Sequence, residues 1–228
     1  MNVSLLSNAI ETPTTRRIRL ALDQQPFDYR AGQAASLAVD DCEPTPYSIA
    51  SAPSDTHRDR TLEFLVKIDG AIRFGACVAA LAPGTTVRVD GPIGAFTLRE
   101  VAPGAPLLFV AGGTGIAPLR SMVRQALNDG HAGNITLVYS ARRPEEFAYL
   151  DEWRELAGAD RIRLTLTLTG SAADWLHARG RAGIDHLREV VAPGTRAFVC
   201  GPRSMLADVK AALGTLGLPP SAVSTEDW

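Results

Sequence analysis

Up to about residue 100 the chain alternates apolar and polar residues in short runs broken by turn residues, as in "RRIRLAL", "AASLAVD", "TLEFLVKI", "TTVRVDG" and "AFTL". A period of two over so few residues predicts half-buried strands of an antiparallel barrel or sandwich. One stretch departs from it: the apolar spacing of "RFGACVAAL" (73–81) suits a short helix between strands. After "VAPGAP" (101–106), whose two prolines and glycine cannot continue a strand, the rhythm changes. The runs "LLFVA", "ITLVYS", "IRLTLTL" and "RAFVC" are solidly apolar, as parallel strands buried on both faces are. Between them, "APLRSMVRQALNDG", "PEEFAYLDEWRELAG" and "PRSMLADVKAALGTLG" supply crossover helices. The pattern therefore predicts two domains, an all-β barrel over 1–102 and an α/β parallel-sheet domain over 103–228.

Composition narrows what such a chain can do. Its 228 residues are enough for a true hydrophobic core. With 23 Lys and Arg against 25 Asp and Glu, no broad positive field exists to hold nucleic acid or an anionic membrane. "MNVSLLSNAI" lacks the features of a secretory signal, and no apolar run is long enough to span a bilayer, so a cytoplasmic protein, monomeric or a small oligomer, is expected. Cys42, Cys77 and Cys200 are an odd number, far apart and without a CxxC pair, which argues against a disulfide framework and against a zinc or iron–sulfur site. The four histidines have no ligand-like spacing and no GxSxG elbow occurs, which removes metalloenzyme and hydrolase readings.

The strongest local signal is "FVAGGTGIAPLRSM" (109–122), a glycine loop after the first apolar strand of the second half and at the start of its first helix. Backbone N–H groups and the helix dipole favour an anion there, and Gly112, Gly113 and Gly115 let backbone approach a diphosphate. The spacing is not GxGxxG, so taken by itself the loop is equally a bare glycine turn.

The full string "AGGTGIAPLRSM" resembles the NAD(P)H-binding loop of the ferredoxin–NADP⁺ reductase superfamily, and other pieces of that family follow in order over nearly the whole chain. "PYSIAS" (46–51) resembles its flavin-binding RxYS strand, "LEFLVKI" the strand along the isoalloxazine, "GPIGAFTL" the barrel exit, "VCGP" (199–202) the last α/β loop and "STEDW" the chain end. The resemblance implies FAD, or FMN, held by Tyr47, Ser48, Ile49, Val66, Lys67, Arg73, Gly75, Ala76 and Cys77. It implies NADPH or NADH on Gly112, Gly113, Thr114, Gly115, Ile116, Pro118, Cys200, Gly201 and Pro202. Ser48 at flavin N5, Cys200 beside the nicotinamide, Glu226 as the acidic group and Trp228 covering the flavin would serve the chemistry. Two positions depart from the pattern. Thr45 stands where the family's RxYS arginine neutralises flavin phosphate, and Val78 replaces the hydroxyl residue of its GxxS helix cap. A charge-assisted phosphate contact is worth about 1.5–3 kcal/mol, so replacement donors are sought in Arg73, or in His57 and Arg58. Arg142, Arg143 and Arg181 match arginines of the 2′-phosphate site, with Ser171 where some bacterial members carry another, a slight lean to NADPH.

The function implied is hydride transfer from NAD(P)H to flavin N5, with electrons passed to a separate acceptor such as a ferredoxin. The alternatives are an NAD(P)H:flavin reductase that treats flavin as a diffusible substrate, and a non-catalytic electron-transfer subunit of a larger complex.

Overall fold

The computed structural model describes residues 1–39, 42–68, 73–98 and 101–227. The chain divides into two compact units, one of 1–98 with 120–128, the other of 99–119 with 129–228.

The first unit is an antiparallel sheet of β1 (Asn2–Thr12), β2 (Thr15–Ala21), β3 (Ala34–Ala38), β4 (Thr45–Ser48), β5 (Thr61–Lys67) and β6 (Thr86–Ile93), in the order β4-β3-β6-β1-β2-β5. Its two edge strands meet where Ile49 bridges Phe64 and Ala50 N–H donates to the Glu63 carbonyl at 2.8 Å, which closes the sheet into a barrel. Alternation puts Ile18, Leu20, Leu37, Leu62, Phe64, Val66, Val87 and Val89 inside. Two short helices accompany the strands, α1 (Pro53–Asp59) and α2 (Arg73–Ala79), the second where the apolar spacing predicts it.

The second unit is a parallel sheet of β7 (Leu107–Gly112), β8 (Ile135–Ala141), β9 (Arg163–Leu168), β10 (Ala178–Arg179), β11 (Arg196–Gly201) and β12 (Val223–Asp227), in the order β10-β9-β8-β7-β11-β12. Its helices are α3 (Ile116–Asn128), α4 (Leu150–Gly158), α5 (Ile184–Leu187) and α6 (Arg203–Thr215). All residues of β7 and β8 are buried, as their unbroken apolar runs require.

Two sequence expectations are corrected. "AFTL" is not a strand: Phe96 and Thr97 are buried, but this stretch is irregular, with Leu98 N–H bonded to the Ala31 carbonyl. Near the chain end, β12 pairs in parallel with β11 over five residues. Cys42 and Cys77 form a disulfide. Their separation of 35 residues is closed by the fold, which sets the turn after β3 beside α2, with Cα atoms 6.9 Å apart.

Residues 120–128 of α3 cluster with the barrel through buried polar contacts rather than an apolar stripe alone. Arg120 is 7% exposed; its Nη1 donates to the Ala50 carbonyl at 2.9 Å and lies 3.0 Å from the Glu63 carboxylate. Ser121 Oγ donates to the Ser51 carbonyl at 2.7 Å, and Ser54 N–H donates to Gln125 Oε1 at 3.0 Å. Arg124 pairs with Asp55, a carboxylate 5% exposed that also accepts from Asn128 and Arg58. Burial alone would raise the Asp55 carboxyl, but hydrogen bonding and charge from Arg124, with help from Asn128 and Arg58, hold it below its ordinary value.

Removing one partner of a buried ion pair strands the other charge, at about 3 kcal/mol or more. Arg120→Met is expected to lose about 3 kcal/mol in urea unfolding, and the double variant Arg120→Met/Glu63→Gln to recover more than half of it. Equal losses in the single and double variants would show that the Glu63 charge is not what Arg120 compensates.

Candidate active site

The glycine loop occupies the carboxyl end of β7, at the point where strand order reverses between β8 on one side and β11 on the other. Gly113–Gly115 form a 3₁₀ turn that runs directly into α3, with Gly113 at φ +52°. Gly113 and Thr114 are half-exposed, whereas Gly115, Ile116 and Pro118 are buried. A Cβ on Gly115 would meet the Cys200 carbonyl, and one on Gly112 would lie 2.7 Å from Met205 Sδ and 3.0 Å from Pro202 Cδ. The loop is therefore packed tightly against the "VCGP" turn and Met205, and Gly113 and Thr114, both half-exposed, are its accessible residues at the helix start. Tyr139, within the apolar run of β8, holds the turn from below: its hydroxyl donates to the Gly113 carbonyl at 3.1 Å and accepts from Ala148 N–H at 3.2 Å. Sequence reasoning missed Tyr139 and Met205; the polar-tipped aromatic in "ITLVYS" was the available signal.

Parallel registry sets Cys200 on β11 directly opposite Glu226 on β12 and Ala111 on β7. Cys200 is 2% exposed. Burial first, then the Glu226 and Asp227 carboxylates, push its thiol up, so it stays protonated and uncharged. Burial, with Asp227 adding like charge, raises the Glu226 carboxyl to about 7, near the pH at which a group both gives and takes protons. Asp227 itself is held below its ordinary value by the hydrogen bond and charge of Arg203, whose Nε lies 2.6 Å from Oδ2. Cys200, Gly201, Pro202, Glu226 and the glycine loop are thus brought together within one unit. Trp228 lies outside the described residues.

In the first unit, β4 carries Tyr47 and Ser48, both half-buried, and pairs along one side only, with β3. The Tyr47 ring packs against Phe74 of α2 at 5.4 Å between centroids. Ile49 and Val66 are fully buried core residues, so only their backbone is available, while Lys67 is half-buried at the end of β5. Gly75 backs onto the Lys67 carbonyl, where a Cβ would collide, and Ala76 is exposed. Cys77 is engaged in the disulfide. This edge strand, with its aromatic ring and adjoining glycine helix, fits a flavin ring; the phosphate end is less well provided. Thr45 Oγ1 donates to the Glu43 carbonyl at 3.1 Å, and Val78 is wholly buried. The Arg73 side chain lies outside the described residues. His57 and Arg58 line a cleft of about 500 Å³ with Phe27, Tyr29 and Pro53 rather than joining β4 and α2, and Arg58 is paired with Asp55 at 3.0 Å and Asp59 at 2.8 Å.

The arginines expected at a 2′-phosphate stand beyond the carboxyl ends of β8 and β10. Arg143 pairs with Glu146 at 2.9 Å and Glu145 at 3.4 Å, and Arg181 pairs with Asp208 at 3.2 Å. Arg142 N–H donates to Glu146 at 3.3 Å. A 2′-phosphate would compete with these carboxylates.

The family model for the oxidoreductase NAD-binding domain matches residues 109–211. The chain is 36% identical over 222 residues to ferredoxin–NADP reductase B of Sorangium cellulosum, a match covering 90% of this chain and 88% of that protein. It is 32% identical to the ferredoxin–NAD(P)⁺ reductase component of the Pseudomonas putida naphthalene 1,2-dioxygenase system, covering 94% of this chain and 65% of that one. Among solved structures, the Amycolatopsis cytochrome P450 reductase GcoB superposes with a TM-score of 0.86 at 27% identity, covering all of this chain and 69% of that one. A Neisseria gonorrhoeae ferredoxin NADP⁺ reductase with bound FAD and NADP superposes at 0.83 and 21% identity, covering 100% of this chain and 98% of that one.

Two outcomes follow from this geometry. Gly115→Ala must push β11 away or abandon the loop conformation; overpacking of this kind costs about 1–3 kcal/mol, readable as a lowered melting temperature, and an unchanged melting temperature would refute the close packing. The raised Glu226 carboxyl means that the folded state binds its proton more tightly than the unfolded chain does. Its contribution to stability is fully present below about pH 4.5 and is lost as pH rises through about 7. Melting temperatures of the parent and Glu226→Gln should coincide below about pH 4 and diverge progressively up to pH 8 in favour of the variant.

Proposed function

Because this chain belongs to the ferredoxin–NADP⁺ reductase superfamily, we propose that it takes hydride from NAD(P)H onto flavin N5 and delivers the electrons to a separate protein such as a ferredoxin. The observation that carries this reading is the Cys200–Glu226 pair facing each other across β11 and β12 beside the glycine loop. Gly113 and Thr114 present helix-start N–H groups to the pyrophosphate of the nucleotide. A neutral, small Cys200 side chain leaves room for a nicotinamide ring and puts no charge beside it. Glu226, half-buried and poised near neutral pH, holds or moves a proton close to that ring. In the first unit, Tyr47 offers its ring face and Ser48 a hydroxyl to the flavin. A bound flavin supplies the exchange between two-electron and one-electron transfer; the chain's share is positioning and electrostatics.

FAD is the flavin in the N. gonorrhoeae structure and is the cofactor proposed here, with FMN as the alternative. The relatives named as reductase components of oxygenase systems support an electron carrier as acceptor. Among the described residues no helix is long and apolar enough to cross a membrane. Either NADPH or NADH is compatible with arginines already paired to Glu146 and Asp208.

One observation favours a second reading. Thr45 spends its hydroxyl on Glu43 and Val78 offers none, so the flavin phosphate end is weakly held. An NAD(P)H:flavin reductase that uses flavin as a diffusible substrate would benefit from that. The two are separated by the visible spectrum of the purified protein, yellow for a resident flavin and colourless for a diffusible one. Under either, anaerobic addition of NADPH or NADH to the protein with FAD or FMN should bleach the flavin absorbance. Persistence of that absorbance with both nucleotides would sink the proposal.

A further inference from the structure

The Cys42–Cys77 disulfide joins two elements that the proposed flavin site needs together. Cys42 lies three residues before β4, the strand of Tyr47 and Ser48, and Cys77 lies on α2, the helix of Gly75 and Phe74. Beyond that bond, α2 is seven residues long, and among the described residues its attachments include the following, with Gly75 packed on the Lys67 carbonyl. Phe74 and Val78 are buried, Phe74 meets the Tyr47 ring, and Asn8 Nδ2 donates to the carbonyls of Val78 at 2.7 Å and Leu81 at 2.9 Å. An isolated helix of that length is unstable, so its position depends on its attachments. The two side chains at which a phosphate would brace β4 and α2 from outside, at positions 45 and 78, are a threonine bonded to its own turn and a buried valine. Both cysteines are half-buried, flanked by exposed Glu43, Pro44 and Ala76, so the bond is within reach of a reductant.

We propose that the Cys42–Cys77 disulfide is a reversible thiol switch: intact, it clamps α2 to the approach of β4 and tightens flavin binding; reduced, it frees α2 and loosens the flavin. The inference rests on the flavin reading above. The switching reagent is a dithiol, of the class that keeps cytoplasmic thiols reduced. Its thiolate attacks one sulfur of the bond, and its second thiol resolves the mixed disulfide. The S–S bond breaks, the protein sulfurs take up two electrons and two protons to become thiols, and the reagent leaves as its own disulfide. Cys200, buried and held protonated, stays outside the exchange.

The test uses the full chain in three forms: air-oxidised, reduced with dithiothreitol, and Cys42→Ser/Cys77→Ser. Alkylation under denaturing conditions followed by mass measurement counts thiols, with one expected in the oxidised form and three in the reduced form. FAD titration followed by flavin fluorescence is expected to give an affinity at least about tenfold higher for the oxidised form. The double variant should match the reduced form whether or not dithiothreitol is present. Without flavin, amide exchange over 73–79 should be slower in the oxidised form than in the other two. Three alkylatable cysteines in the air-oxidised protein, or equal affinities and equal exchange in all forms, would overturn the switch. If exchange responds to the bond but no form binds flavin, it is the flavin reading that falls, and the proposed consequence with it.

Discussion

The second unit depends on a contact that has no room for a side chain. Gly115 lies against the Cys200 carbonyl, and Gly201, at φ +159°, would place a Cβ 3.1 Å from Gly112 N. Two loops at the carboxyl ends of neighbouring parallel strands therefore interlock, main chain on main chain at Gly115 and with the Met205 side chain against Gly112 and Gly201. That interlock holds the helix-start N–H groups of the glycine loop and the Cys200 side chain at fixed separation. It also explains why this loop differs from GxGxxG: its glycines serve packing against β11 as much as access for a phosphate.

Most of the fold is legible in the chain because burial and period coincide. The apolar runs of β7, β8, β9 and β11 and the alternation of β2, β3, β5 and β6 follow from which faces are covered. The failures have separate causes. In β1 the apolar residues do not mark the buried face: Val3 and Leu5 are buried, but the outward Leu6 and Ile10 are apolar too, at 46% and 71% exposed, and the register shifts between Leu5 and Ser7. No period-two signal survives that. The helix α1 has no apolar stripe; Pro53 at its start fits a helix entry, and it buries Asp55 and Thr56 in polar contacts instead. Phe96 looks like a strand residue because it is buried, but burial there comes from an irregular segment.

The site was legible in part for a related reason. The glycine loop and "VCGP" are local strings, so their residue types announce them. The partnership of Cys200 with Glu226 is not local: it exists only because β12 adds to the sheet beside β11 in one register, and a shift by one residue would turn Glu226 to the opposite face. The disulfide is the same kind of fact, a pairing across 35 residues that no spacing rule reveals.

Buried carboxylates in the two units separate structural from chemical use of the same group. Asp55 is surrounded by Arg124, Arg58 and Asn128 and is held ionised, which suits a group that pins a helix. Glu226 meets the opposite environment: burial and the neighbouring Asp227 both favour its neutral form, and the Arg203 cation is taken up by Asp227. A carboxyl kept near its titration point is a poor strut, since each protonation change alters its contacts, but it is suited to proton exchange. Burial, the largest cause of the raised Glu226 carboxyl, also keeps Cys200 a neutral thiol, so of the two facing groups Glu226 is the one that changes charge near neutral pH. At this end of the sheet Asp227 and Arg203 neutralise each other, and strand register places the titratable Glu226 beside the glycine loop.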